Sequence, residues 1–231
     1  MNNSVALPGE PGGGVRSEAY FGIYSIERCT IASNRCPGGG GGLYLRGVGT
    51  VVNSTIYGNA STNSDGGGVF VYDGATTFYN TTIAGNSAPY GTGGGMRNLY
   101  GTWSAYSTIV AGNTAGIAPD VGGILLADDH CLIGNNANSG IPAGLPNAHN
   151  SYVGTAAAPL DPLLLPPVSN GGLTPTCELQ PGSRAIDKGS NPLGLTTDQR
   201  GLTNYPRASG ADVDIGAFEF TWPKGVIFTM R

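Results

Sequence analysis

Short runs of β-branched and aromatic residues alternate with polar ones over the first 136 residues, and glycine or asparagine closes each run. VFVYDG (69–74) and TTFYNTTI (76–83) are two such runs, separated by turn residues and short enough for strands whose side chains face the two sides in turn. That is the pattern of strands with one buried face. Gly, Thr, Ser, Asn, Val and Tyr dominate these runs; they suit strands and turns rather than helices.

The runs recur at a fixed interval. CTIASN (29–34) returns as STIYGN (54–59), TTIAGN (81–86) and STIVAGN (107–113), with a weaker copy, CLIGN, at 131–135. Ile31, Ile56, Ile83 and Ile109 are 25, 27 and 26 residues apart; Asn34, Asn59, Asn86 and Asn113 are 25, 27 and 27 apart. A glycine cluster follows each anchor, at Gly40–Gly42, Gly66–Gly68, Gly93–Gly95 and Gly122–Gly123, and Gly12–Gly14 precede them all. Asn2-Asn3-Ser4 reads as the tail of a further anchor, so the first coil is expected to be truncated. Two or three short strands per interval, without helix, describe one coil of a β-solenoid. Each strand is then expected to pair in parallel with its counterpart in the next coil, about 4.8 Å away. The four isoleucines are expected to form an inner stack and the asparagines a hydrogen-bonded amide ladder. A β-sandwich gives no reason for this periodicity. Residues 1–136 are therefore assigned to coils, and the Pro- and Gly-rich stretch 137–231 to irregular chain that caps or wraps them.

Composition narrows the functions. Of 231 residues 40 are Gly, 16 are Pro and 11% are charged, and the formal charge is 11 − 15 = −4. Such a chain has no basic track to neutralise phosphates, so nucleic acid is not an expected partner. The glycines lack the three-residue period of collagen. No run of 18 apolar residues suggests a membrane span, and the first residues show no signal-peptide pattern. Cys29, Cys36, Cys131 and Cys177 are even in number and lack metal-ligand spacing. Pairing by proximity favours disulfides Cys29–Cys36 and Cys131–Cys177 in an oxidising compartment, with the other pairings and free thiols left open.

Three strings carry a family resemblance: STIVAGNTAGIAPDV (107–121), LDPLLLPPVSNGGLTPTCELQPGSRAID (160–187) and TDQRG…DVDIGAFEF (197–220). With NSTIYGN…GGGVFVYDG…NTTIAGN…GGGM, they resemble right-handed parallel β-helix repeats followed by a choice-of-anchor Q domain. The resemblance implies an all-β, right-handed parallel β-helix with a loop-rich C-terminal cap, placed extracellularly or on the cell surface. It implies no single activity. The tail TWPKGVIFTMR (221–231) carries neither a membrane segment nor a sortase motif.

Pectate-lyase-like β-helices act on polysaccharides, with a base and a charge-neutralising partner in lyases or paired carboxylates in hydrolases. Here the supply is thin. Lys188 and Lys224 lie outside the repeats, and residues 15–121 hold only Glu18, Glu27, Asp65, Asp73 and Asp120 as acids. The best acid–base candidates are Asp128, Asp129 and His130, and no motif specifies calcium or another cofactor. The charges Asp198, Arg200, Arg207, Asp212, Asp214 and Glu219 are read as ion pairs and turn caps that fix the C-terminal segment.

A better candidate emerges when the strands are aligned on their glycine clusters. Val15, Leu43, Val69 and Met96 then point inward; Arg16, Tyr44, Phe70 and Arg97 point outward, followed by Glu18, Arg46, Tyr72 and Leu99. Aromatic rings offer stacking surfaces, and arginines can hydrogen-bond hydroxyls or pair with uronic carboxylates, so Arg16, Tyr44, Arg46, Phe70, Tyr72 and Arg97 are expected to form a flat platform for a polysaccharide or cell-surface glycan. The leading expectation is a non-catalytic carbohydrate-binding or adhesion module. The alternatives are a polysaccharide lyase or glycoside hydrolase, and a structural protein that assembles end to end through its open first coil.

Overall fold

The computed structural model describes residues 11–222. The expected anchor remnant at Asn2-Asn3-Ser4, Lys224 and the end of the C-terminal tail lie outside them. The described chain is all-β and forms a parallel β-solenoid of about four turns.

Three parallel sheets run along the coils. The widest holds Val15–Glu27 and Leu43–Val52, then two half-strands per coil: Val69–Val71 with Ala75–Tyr79, Met96–Asn98 with Thr102–Tyr106, and Val121–Gly122 with Ala127–Asp129. The second stacks Thr30–Ala32, Thr55–Tyr57, Thr82–Ala84, Ile109–Ala111, Leu132–Ile133 and Tyr152–Val153. The third stacks Arg35–Cys36, Ala60–Ser61, Ser87–Thr92 and Thr114–Ile117. Left-handed residues recur at the corners between sheets. Asn53 (φ 44°) and Asn80 (φ 45°) turn the chain from the first sheet to the second, a conformation asparagine tolerates. At the glycine clusters the constraint is also steric: Gly66 has φ 65°, and a Cβ there would lie 2.5 Å from the Val69 carbonyl oxygen.

The inner stack follows the asparagines rather than the isoleucines. Ile31 pairs with Ile56 and Ile56 with Ile83, but Ile83 pairs with Val110, which pairs with Ile133 and then Val153. Ile109, expected in this column, is displaced by one residue and opposes Thr82. The anchor STIVAGN is one residue longer than its counterparts, and the buried asparagine sets its register. A one-residue shift turns every side chain to the opposite face, so Ile109 points away from the solenoid core. Leu43, Val69, Met96 and Val121 form a second inner column, as the alternation required, and Val51, Phe78 and Ala105 a third.

The asparagine ladder is continuous and polar. Asn34 Nδ2 donates to Asn59 Oδ1 (2.9 Å), Asn59 Nδ2 to Asn86 Oδ1 (3.0 Å), and Asn86 Nδ2 to Asn113 Oδ1 (3.0 Å). Each accepting oxygen also takes the backbone N–H of the preceding asparagine. The last rung is a carboxylate: Asp120 Oδ1 accepts from Asn113 Nδ2 (2.8 Å), and its Oδ2 from the Asn135 N–H (2.7 Å). The final site receives donors and has no further rung to supply, which suits an acceptor-only group. Burial outweighs these donors and pushes the Asp120 carboxyl up to about 6.

The displaced Ile109 has a structural role. With Ala111 and Leu132 it seats Leu179, Ala185, Ile215, Phe218 and Phe220 of the C-terminal segment. That segment lies along the outer face of the second sheet as a strap. Gln199 bonds Thr55 through Oε1, and through Nε2 donates to the Cys29 carbonyl and the Thr30 hydroxyl; the Ala217 N–H donates to Thr82 Oγ1 (3.0 Å). Asn53 Nδ2 donates to the Thr197 carbonyl, and Asn80 Nδ2 to the Ser190 carbonyl. Buried pairs Asp198–Arg200 (2.6 Å) and Arg207–Glu219 (2.8 Å) stiffen the strap. The Arg200 guanidinium lies 3.9 Å from the Tyr205 ring centroid and 4.1 Å from that of Phe218. Asp214 accepts the Asp187 and Phe220 N–H groups, whereas Asp212 stays exposed.

All four cysteines are free thiols, which corrects both expected disulfides. Cys29 and Cys131 are coil equivalents in a column with Ser54, Thr81, Thr108 and Ser151, tied by backbone N–H to hydroxyl bonds. Cys36 lies on the third sheet, and Cys177 is buried in the strap. Proximity in sequence does not bring Cys29 and Cys36 together because a corner separates their sheets. Burial pushes the Cys131 and Cys177 thiols up to about 12.

Three outcomes follow from the fold. Asn86→Leu removes a donor and an acceptor from the buried ladder and is expected to cost about 3 kcal/mol or more, read by urea unfolding. The Asp120 carboxyl, at about 6, and the Asp214 carboxyl, also raised by burial to about 6, lie above their unfolded values. The folded state therefore binds more protons between pH ~4 and pH ~6, and stability rises as pH falls through that window. The thermal midpoint is expected to be higher at pH 5 than at pH 8; equal or reversed midpoints contradict the assignment. Thiol titration in denaturant without reductant is expected to count four cysteines.

Candidate functional site

The aligned outward column exists in the wide sheet. Arg16 pairs with Tyr44, Tyr44 with Phe70, Phe70 with Arg97 and Arg97 with Gly122, in one parallel register. Glu18 pairs with Arg46 in the adjacent outward column. Successive coils bring the aromatic rings together. Tyr44 stacks on Phe70 with centroids 5.6 Å apart and planes 20° apart, and Tyr72 lies 5.9 Å from Tyr44 and 6.2 Å from Phe70.

The face is not the flat platform that alternation suggests. Tyr44 and Phe70 are only 7% and 6% exposed. The turn through Pro37, Gly38 and Gly39 stands over them, and a Cβ at Gly39 would lie 3.1 Å from the Phe70 ring. With Asn63, Ser64, Tyr72 and Leu99 these residues enclose an open cleft of about 500 Å³. Alternation along a strand says which way a ring points, but not whether a neighbouring turn covers it.

Every arginine of the site has an acidic partner. Arg46 donates through Nε (3.1 Å) and Nη2 (2.8 Å) to Asp73 Oδ2 and lies 4.6 Å over the Tyr72 ring centroid. Arg97 pairs with Asp65 (3.3 Å), and Arg16 with Glu18 while lying 5.6 Å over the Tyr44 ring. The carboxylates hold the guanidinium planes in place and cancel their charge. Asp65 and Asp73, isolated acids in the sequence, thus position the arginines beside the cleft.

One site residue was not expected. Tyr100 is 73% exposed and meets Tyr72 edge to face, with centroids 5.5 Å apart. The turn before Gly101 breaks the alternation and carries the ring outward; a tyrosine next to a glycine was its only sequence signal. Tyr100 itself, with Arg97 and the exposed Leu99, Ile124 and Leu126, borders a second opening beside the first.

The Asp128–Asp129–His130 candidate does not form one cluster. Asp128 continues the inward column of Ala105, while Asp129 pairs with outward Tyr106, so adjacent carboxylates face opposite ways. Asp128 Oδ1 meets Nδ1 of His149 (2.8 Å), whereas Asp129 Oδ1 lies 2.9 Å from His130 Nδ1. His149 is brought in by the 134–151 loop, which sequence spacing could not reveal. His130 borders a smaller cleft of about 260 Å³ with Tyr152, Asp187, Lys188 and Asp212. Among the described residues no three His, Cys, Asp or Glu side chains are grouped to hold a metal ion, and no helix is long and apolar enough to cross a membrane.

Fold and site together define a parallel β-solenoid with an aromatic cleft on its widest sheet. No family model, curated protein or solved structure matches the chain. The resemblance to a choice-of-anchor Q domain therefore gains no support from these comparisons.

Proposed function

We propose that this chain is an extracellular, non-catalytic carbohydrate-binding module whose ligand occupies the Tyr44–Phe70–Tyr72 cleft. The observation that carries the reading is the combination of packed rings with arginines already neutralised by Asp73, Asp65 and Glu18. Sugar rings stack their C–H faces on aromatics, and arginine–carboxylate pairs present donors and acceptors to hydroxyls. Because the guanidinium charges are matched, the cleft favours neutral glycans over uronates. Tyr44 and Phe70 form the floor, while Tyr72 and exposed Tyr100 supply the accessible ring surface. The two Asp–His pairs give the hydrolase reading less support, since Asp128 and Asp129 point in opposite directions and do not flank one bond.

Calorimetry against neutral and uronate-containing polysaccharides tests the proposal. Binding is expected for a neutral glycan, with Tyr72→Ala and Tyr100→Ala each weakening it roughly threefold to tenfold, the range for one aromatic contact. Tyr100 is exposed, so its variant is expected to keep the wild-type thermal midpoint. No binding to any glycan, or undiminished binding in the double variant, would overturn the reading.

A further inference from the structure

The outward face of the wide sheet does not end at the cleft. Leu43–Val52 is one unbroken strand whose outward positions run Tyr44, Arg46, Val48, Thr50 and Val52. The neighbouring coils extend each position into a column. Val48 pairs with Ala75 and Ala75 with Thr102; Thr50 pairs with Thr77 and Thr77 with Ser104; Val52 pairs with Tyr79 and Tyr79 with Tyr106. Ser25 and Ile23 begin two of these columns in the preceding coil.

Three features follow from this register. The column through Ser25, Thr50, Thr77 and Ser104 is a row of hydroxyls about 4.8 Å apart, the spacing between parallel strands. These side chains are partly or fully exposed, and Thr50 Oγ1 reaches Ser25 Oγ only at 3.5 Å. The flanking column is uncharged, with Ile23 88% and Val48 56% exposed. At the far side Tyr79 and Tyr106 stack face to face, with centroids 5.2 Å and planes 13° apart. The charges nearest this strip lie at its borders: the Arg46–Asp73 pair on the cleft side, and Glu27 and Asp129 at the ends of the tyrosine column.

We propose that the carbohydrate site continues along the strands, over the hydroxyl row, to a second aromatic pad formed by Tyr79 and Tyr106. Its ligand is accordingly an extended neutral polysaccharide lying parallel to the strands, not a short terminal sugar. The eight residue steps from Tyr44 to Val52 set the span at roughly 26 Å, at about 3.3 Å per step. Rings at both ends hold sugar faces, and the hydroxyl row between them bonds the ring hydroxyls without adding charge. This inference rests on the cleft being a glycan site, and it adds the length and direction of the ligand.

The experiment is a chain-length series. Neutral gluco-, xylo- and manno-oligosaccharides, from disaccharide to octasaccharide, are titrated into the full chain by calorimetry. For the series that binds, affinity is expected to rise with length until the chain spans both pads. Tyr79→Ala with Tyr106→Ala is expected to lower affinity for the longest oligomer about threefold to tenfold, and to leave the shortest binder unchanged. If that variant does not fold, Tyr79→Leu with Tyr106→Leu keeps apolar bulk on the sheet while removing the rings. Affinity independent of length, or an unaltered long oligomer in the tyrosine variants, overturns the extension and leaves the cleft standing. Absence of binding at every length overturns both.

Discussion

Parallel, in-register pairing between successive coils is the constraint on which everything else depends. It places identical backbone atoms about 4.8 Å apart, so any residue repeated at the coil period becomes a continuous column. The buried asparagine ladder makes that pairing specific. The side-chain oxygens of Asn59, Asn86 and Asn113 each accept both a side-chain and a backbone N–H from the coil before. A slip by one residue would leave several buried donors unmatched, at about 1–3 kcal/mol each, whereas exchanging Ile for Val in the core costs about 1 kcal/mol. That difference explains why the register in STIVAGN follows Asn113 and lets Ile109 leave the inner stack.

The consequence of that choice appears on the outside of the solenoid. An isoleucine expelled from the core would be an exposed apolar group, but it meets the C-terminal strap. Together Ile109 and Leu132 anchor Leu179, Ile215 and Phe218, while Thr30, Thr55 and Thr82 of the same outward column bind the strap through hydrogen bonds. The column is thus apolar at one end and polar at the other, and the strap matches it along its length. With the strap seated on the second sheet, the wide sheet keeps its own outward face, beside which Tyr100 is 73% exposed.

The same stacking produces the cleft. A column brings Tyr44 against Phe70, and the adjacent turn brings Tyr72 and Tyr100 beside them. Asp65, Asp73 and Glu18 pair with Arg97, Arg46 and Arg16 and fix the guanidinium planes. A rigid scaffold therefore presents rings and hydrogen-bonding groups with little side-chain freedom, an arrangement that lowers the entropic cost of the glycan binding proposed above.

Repetition made the architecture legible from the amino acids alone. The spacing of Asn34, Asn59, Asn86 and Asn113 specified parallel coils, and two-residue alternation specified which of Leu43, Tyr44, Val69 and Phe70 point inward. Both are local periodicities, and the fold translates them directly into columns. What needed the tertiary structure was every contact between segments without a shared period. The strap's seat on Ile109, the closure of the cleft by the Pro37–Gly39 turn, the meeting of His149 with Asp128 and the separation of Cys29 from Cys36 all belong to this group. Such contacts depend on where corners and loops return in space, and a period along the chain carries no record of that.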